Sequence, residues 1–206
     1  MHGQYKKRAM DMMRAGAHLM ARGVWRKASR FWSDRRGIAA VEFALIMPIL
    51  LVMYFVTMEA SQAIETSKKV SRIGSMVADL VTQQTSVVEA DVKAIMQIGS
   101  VTLQPYSRSD PTITVTAIQV TPDGAKAMVV WSRKLVKGVL SAGATGETTV
   151  PATLRVANTF LIRVESNLVY EPVIELAINS AFNPINMGET YFLRPRRSVT
   201  IPCTDC

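Results

Sequence analysis

Residues Ile38 to Met58 form a run of 21 residues in which Glu42 is the sole charge. No other stretch constrains the fold as strongly. As an α-helix rising ~1.5 Å per residue, a run of that length reaches roughly 30 Å, the thickness of a bilayer core. Eleven of its residues are Leu, Ile, Val or Phe. At about −0.3 to −0.6 kcal/mol each, they outweigh a carboxylate, which costs about +2.5 to +3.5 kcal/mol at mid-bilayer and less near an end. The run therefore predicts a membrane-spanning helix. A removable secretory signal has a shorter apolar region, about 7–15 residues, followed by a small-residue cleavage site. Ser61-Gln62-Ala63 is a weak candidate for such a site.

Charge is distributed unevenly around the run. Residues 1–36 carry ten Lys/Arg against Asp11 and Asp34, whereas residues 59–206 carry 14 against 13 Asp/Glu. Nearest the run, six basic residues lie in 17–36 and three in 59–78. Excess Lys/Arg marks the cytoplasmic side of a span, which places the N-terminus inside and the C-terminal portion outside. The basic arm also holds Tyr5, Trp25, Phe31 and Trp32. Basic stretches with aromatics occur in nucleic-acid-binding chains. Here no nucleic-acid motif accompanies them and the arm abuts a span, so lipid headgroups are the expected partner and nucleic acid is not.

Beyond the run the helical pattern continues. Ile64, Val70, Ile73, Val77 and Leu80 or Val81 recur on one helical face, which extends the predicted helix to about Thr85. Ser86-Val87-Val88-Glu89 reads as a capping box, opening a second helix over about 87–98 that stops at Gly99. Strand chemistry follows. "TITVTAIQVT" alternates Ile113, Val115 and Ala117 with Thr, "PDG" supplies a turn, and "AKAMVVWSRK" returns as the other arm of a hairpin. "KGVLSAGATGETTVP" reads as a loop, "NTFLIRVESNLVYEP" as a third strand, and 191–197 as a last strand or extended tail. The expected fold class is α+β, with a long N-terminal transmembrane helix and a small antiparallel-sheet head that buries one face against the outer half of the helix. The predicted segments are a basic cytoplasmic leader (1–36), the transmembrane helix (37–58), its extension with the second short helix (59–100), and a β-rich head (101–206).

Catalytic chemistry is poorly supplied. Both histidines, His2 and His18, lie in the leader, no Gly-rich phosphate loop follows a strand, and the outer acids show no paired spacing. No catalytic residue, metal site or cofactor is expected. Cys203 and Cys206 form "CTDC". An oxidising compartment favours a disulfide between them; an intermolecular link, reduced thiols and redox chemistry are the other readings.

Glu42 is the remaining puzzle, because ionisable groups inside a span usually have a function. Arg35-Arg36-Gly37 precedes the helix-forming run. A cut after Gly37 would give Ile38 a free ammonium, with Glu42 one turn further along at a helix N-terminus that favours an acid. Between chains, the acid of one could neutralise the ammonium of the next and register subunits within the membrane. Opposite charges attract far more strongly out of water than in it.

"RRGIAAVEFALIMPILL" resembles the N-terminal signature of TadE-like proteins, the minor pilins or pseudopilins of Tad (Flp-type) pilus systems. Gly37, Glu42, Phe43 and Pro48 fall in the family's order, and "SRIGSMVADLVTQQTSV", "QPY", "NLVYEP" and "YFLRPR" look like its continuation. The resemblance implies a pilin-like helical spine and cleavage between Gly37 and Ile38 by a prepilin peptidase. It also implies that Glu42 is an assembly acid, Phe43 a packing residue and Pro48 a point where the helix gives. Inner-membrane lipid, other Tad pilins and assembly-platform proteins are the implied partners. The resemblance implies a single-pass inner-membrane protein with a periplasmic head and no enzymatic activity. The alternative is an uncleaved, signal-anchored periplasmic binding or scaffold module.

Overall fold

The computed structural model describes residues 36–173 and 184–206. Apart from Arg36, the predicted basic leader lies outside the described residues. The chain divides into two compact units, residues 1–54 and 55–206. In the first, the described residues are the opening turns of helix α1, which spans Arg36–Thr82. From Gly37 to Tyr54 they are exposed throughout. The apolar run is thus helical, as expected, and long and apolar enough to cross a membrane.

The second unit is an α+β head. The rest of α1 and helix α2 (Glu89–Val101) pack on a five-stranded antiparallel sheet. Its strands are β1 (Thr112–Val120), β2 (Ala127–Val136), β3 (Val139–Ala142), β4 (Phe160–Tyr170) and β5 (Ile185–Leu193). Their order across the sheet is β3-β2-β1-β4-β5. Residues spaced three or four apart on α1 supply one wall of the core: Val70, Ile73, Val77 and Val81 are all buried. Val81, rather than Leu80, completes that face, and Ile64 lies off it at 59% exposure. Val92 and Met96 of α2 meet Ile113, Val115, Trp131, Leu135, Ile162, Val164 and Leu168 of the sheet.

Two glycines let these layers approach. A Cβ on Gly74 would lie 2.8 Å from Ser166 Oγ and 2.8 Å from the Tyr191 ring. One on Gly99 would lie 3.0 Å from both Ile73 and Val77, where α2 crosses α1.

The sheet has a second, smaller core on its other face. β2 carries a bulge: Ala117 pairs with Trp131 and Ile118 with Val129, leaving Val130 as an extra residue. Across the bulge the alternation of β2 reverses, while β1 keeps an unbroken register with β4 and turns its even-numbered residues to the second core. Ile118, Val120 and Ala127 then join Leu161 and Val150, with Leu154 and Phe192 packed alongside.

The predicted hairpin forms, with Gly124 at φ +70° donating its N–H to Thr121 O at 2.9 Å. Four boundaries differ from expectation. α1 stops at Thr82 and α2 runs from Glu89 to Val101. The stretch read as a loop contains β3, joined to β2 by a two-residue turn at Lys137 (φ 49°) and Gly138 (φ 75°), both left-handed as such a turn requires. The last strand is β5, which starts at Ile185 and ends at Leu193.

The capping box does not form. The N-cap of α2 is Val88, which makes no side-chain cap bond, and the Glu89 carboxylate turns instead to Arg133 at 3.3 Å. The Glu89 N–H donates to Asp205 Oδ1 at 2.6 Å, an acceptor 116 residues away.

Candidate functional site

Gly37, Ile38, Glu42, Phe43 and Pro48 all lie on α1 within the first unit. Ile38 and Phe43 are 52% and 62% exposed, so neither is spent on the chain's own core. Glu42 stands four residues after Ile38 and therefore on the same side of the helix. Among the described residues no hydrogen bond or ion pair reaches its carboxylate. Pro48 lies inside α1 without ending it. Its missing N–H leaves the carbonyl of Ala44, four residues back, without its usual helical donor. The segment thus offers an apolar surface, one unpaired acid and one relaxed carbonyl. These are features for packing against lipid or another helix.

A second cluster surrounds Glu59, the first charged residue past the apolar run. Its side chain is 13% exposed. Glu59 Oε1 accepts a short hydrogen bond from the Tyr170 hydroxyl, and Oε2 accepts the Val173 N–H at 3.1 Å. The Arg108 guanidinium lies 3.8 Å from the same carboxylate and donates to Tyr170 Oη at 3.3 Å and Gln62 Oε1 at 3.4 Å. It sits over both the Tyr106 and Tyr170 rings, 4.9 and 5.4 Å from their centroids. The two rings stack at 5.3 Å. Burial, then the hydrogen bond and charge of Glu59, push the Tyr170 hydroxyl far above its ordinary pKa of 10.0. The cluster ties the helix to the start of the sheet and to the end of β4.

Sequence reading did not single out Glu59 or Arg108, and it met Tyr106 and Tyr170 only inside "QPY" and "NLVYEP", with no role assigned to either. Apart from Arg108 over Tyr106, the contacts of the cluster join residues 46 to 114 apart, so no local spacing gathers them. The available signals were the proximity of Glu59 to the run's end and the two tyrosines within those motifs.

Beside this cluster a groove of about 440 Å³ is lined by Gln62, Glu65, Lys69, Tyr106 and Arg108. Its polar groups are already engaged. Lys69 pairs with Glu65 at 2.9 Å and donates to Gln104 O at 2.8 Å, and Arg108 is held as described. Such an arrangement suits a joint better than a reaction centre.

Cys203 and Cys206 are joined as a disulfide, with Cα atoms 5.5 Å apart. The Asp205 carboxylate lies within 4.8 Å of both sulfurs, but sulfurs bonded to each other are not thiolate ligands.

The described residues define a single long apolar helix, of a kind that anchors a chain once in a membrane, continuing into an α+β head. Residues 37–72 match the sequence model of the family described as TadE-like protein. That span contains Gly37, Ile38, Glu42, Phe43 and Pro48, together with Glu59. Comparison with curated proteins and with solved structures finds no match.

Proposed function

We propose that this chain is a non-enzymatic, single-pass inner-membrane subunit that acts in the assembly of a Tad-type pilus as a minor pilin or pseudopilin. The observation that carries this reading is the segment matched to TadE-like proteins. Its apolar run, residues 38–58, is an uninterrupted stretch of helix whose large apolar side chains are mostly exposed and whose one acid, Glu42, has no partner among the described residues. Apolar surface on that scale requires lipid or other helices around it. An uncompensated carboxylate in the same surroundings requires a cation.

In this reading the basic leader holds the N-terminus at the cytoplasmic face, and a prepilin peptidase cuts between Gly37 and Ile38. The new ammonium of one subunit then meets Glu42 of its neighbour. Phe43 packs in the shared helix core, and the periplasmic head makes contacts to other Tad pilins and to assembly-platform proteins. Glu42→Leu should leave insertion and cutting intact and abolish co-purification with pilus components. Normal co-purification of that variant would refute the pairing role.

One observation favours a second reading, a permanently anchored scaffold. α1 already includes Arg36, so the Gly37–Ile38 bond lies in a helical turn, whereas proteases cut extended backbone. N-terminal sequencing of protein from the native membrane separates the two. Ile38 as first residue supports the pilin; a retained leader supports the anchor.

A further inference from the structure

The C-terminal segment is built into the head more firmly than a tail needs to be. Ile201 is fully buried in the main core, and its carbonyl accepts the Trp131 indole N–H at 2.8 Å. Pro202 O accepts the Val87 N–H at 3.0 Å, and Thr204 N–H returns to Val87 O at 3.2 Å, so the segment lies along the linker between α1 and α2. Asp205 then supplies what α2 lacks. Val88, the N-cap, offers no side-chain acceptor, and Asp205 Oδ1 takes the Glu89 N–H at 2.6 Å. An anionic acceptor there also meets the positive end of the helix dipole. Asp205 is enclosed by the Cys203–Cys206 disulfide, which closes a loop of four residues around it.

We infer that the Cys203–Cys206 disulfide is a redox latch that caps helix α2 by holding Asp205 against the Glu89 N–H. Closing it takes a disulfide oxidant. The two thiols transfer two electrons and two protons to the oxidant's S–S bond, leaving one new S–S bond here and two thiols there. Opening reverses the exchange. While the thiols are reduced, Thr204 and Asp205 regain backbone freedom, the cap is lost, and the Val87 linker loses its neighbour. The sheet, whose strands are paired elsewhere, stays folded. The start of α2 is therefore fixed only in an oxidising compartment. This inference is independent of the pilus reading.

The test is amide hydrogen exchange on the full chain in detergent micelles, oxidised and then with excess dithiothreitol, for wild type and Asp205→Ala. A helix cap is worth about a 2- to 30-fold change in local opening. Reduction should speed exchange at Glu89 and Val87 by that order, with β4 amides unchanged. Asp205→Ala in the oxidised protein should speed Glu89 alike and leave Val87 protected. In the reduced protein it should add nothing, because the acceptor is already gone. Unchanged Glu89 exchange on reduction would overturn the inference. So would effects of reduction and of Asp205→Ala that multiply. Loss of β4 protection along with Glu89 would overturn it too, since the disulfide would then hold the whole head.

Discussion

Gly74→Ala tests the packing of α1 on the sheet. In an exposed helix the change would stabilise by about 0.8–1 kcal/mol, because Ala has the higher helix propensity. Here the new methyl would lie 2.8 Å from Ser166 Oγ and 2.8 and 2.9 Å from two carbons of the Tyr191 ring. Neither neighbour yields easily. Ser166 is fully buried with its hydroxyl on Val70 O at 3.0 Å, and the Tyr191 hydroxyl is tied to Ser71 Oγ at 2.6 Å. Overpacking of that sort costs about 1–3 kcal/mol. The propensity gain offsets part of it, leaving a net loss of about 1 kcal/mol, or about 2–4 °C in Tm for a unit of this size. The assay is urea unfolding of the full chain in micelles, followed by near-ultraviolet circular dichroism. The decisive comparison repeats Gly74→Ala in a Ser166→Ala, Tyr191→Ala background, where the obstructing atoms are absent. There the same change should stabilise, by about the propensity difference. A Gly74→Ala protein more stable than wild type in both backgrounds would refute the close approach.

Other outcomes follow from the same contacts. Met96 is fully buried where α2 meets the core, so Met96→Ala should cost about 2–5 kcal/mol by the same unfolding measurement. The folded state holds the Tyr170 proton more tightly than the unfolded chain does, so its contribution is complete below pH 10.0 and is lost as pH rises above it. Thermal melts of wild type from pH 8 to 11 should therefore fall at the alkaline end, and Tyr170→Phe should flatten that fall. Trp131→Phe removes the indole donor from the buried Ile201 carbonyl and should cost about 1–3 kcal/mol, read in the same melts at neutral pH.

What could be read in the residues was what they encode locally. The apolar run carries its own length and charge. The β1–β2 hairpin carries its alternation, with a Pro-Asp-Gly turn between the strands. β3 was not legible because its turn is Lys137-Gly138, with a lysine at positive φ where Asn or Asp would have signalled it. β5 begins in Ile185-Asn186-Met187, an alternation that Gly188-Glu189-Thr190 interrupts, and it gains its place from nine pairings to β4. The capping box failed because an acceptor from 116 residues away took the Glu89 N–H and Arg133 took the Glu89 side chain. The same limit governed the sites. Glu42 announces itself by standing alone in an apolar run, whereas Glu59, Arg108 and Tyr170 become a cluster only after the sheet forms.

The bulge at Val130 has a mechanical corollary. Because it turns the residues of β2 before it to the face opposite those after it, while β1 carries apolar residues on both faces, the two strands serve as a party wall between two hydrophobic rooms, one roofed by helices and the other by a loop. A disturbance under the loop at Val150 or Leu154 therefore reaches the helix-covered side through a single thickness of backbone, with no intervening layer to absorb it.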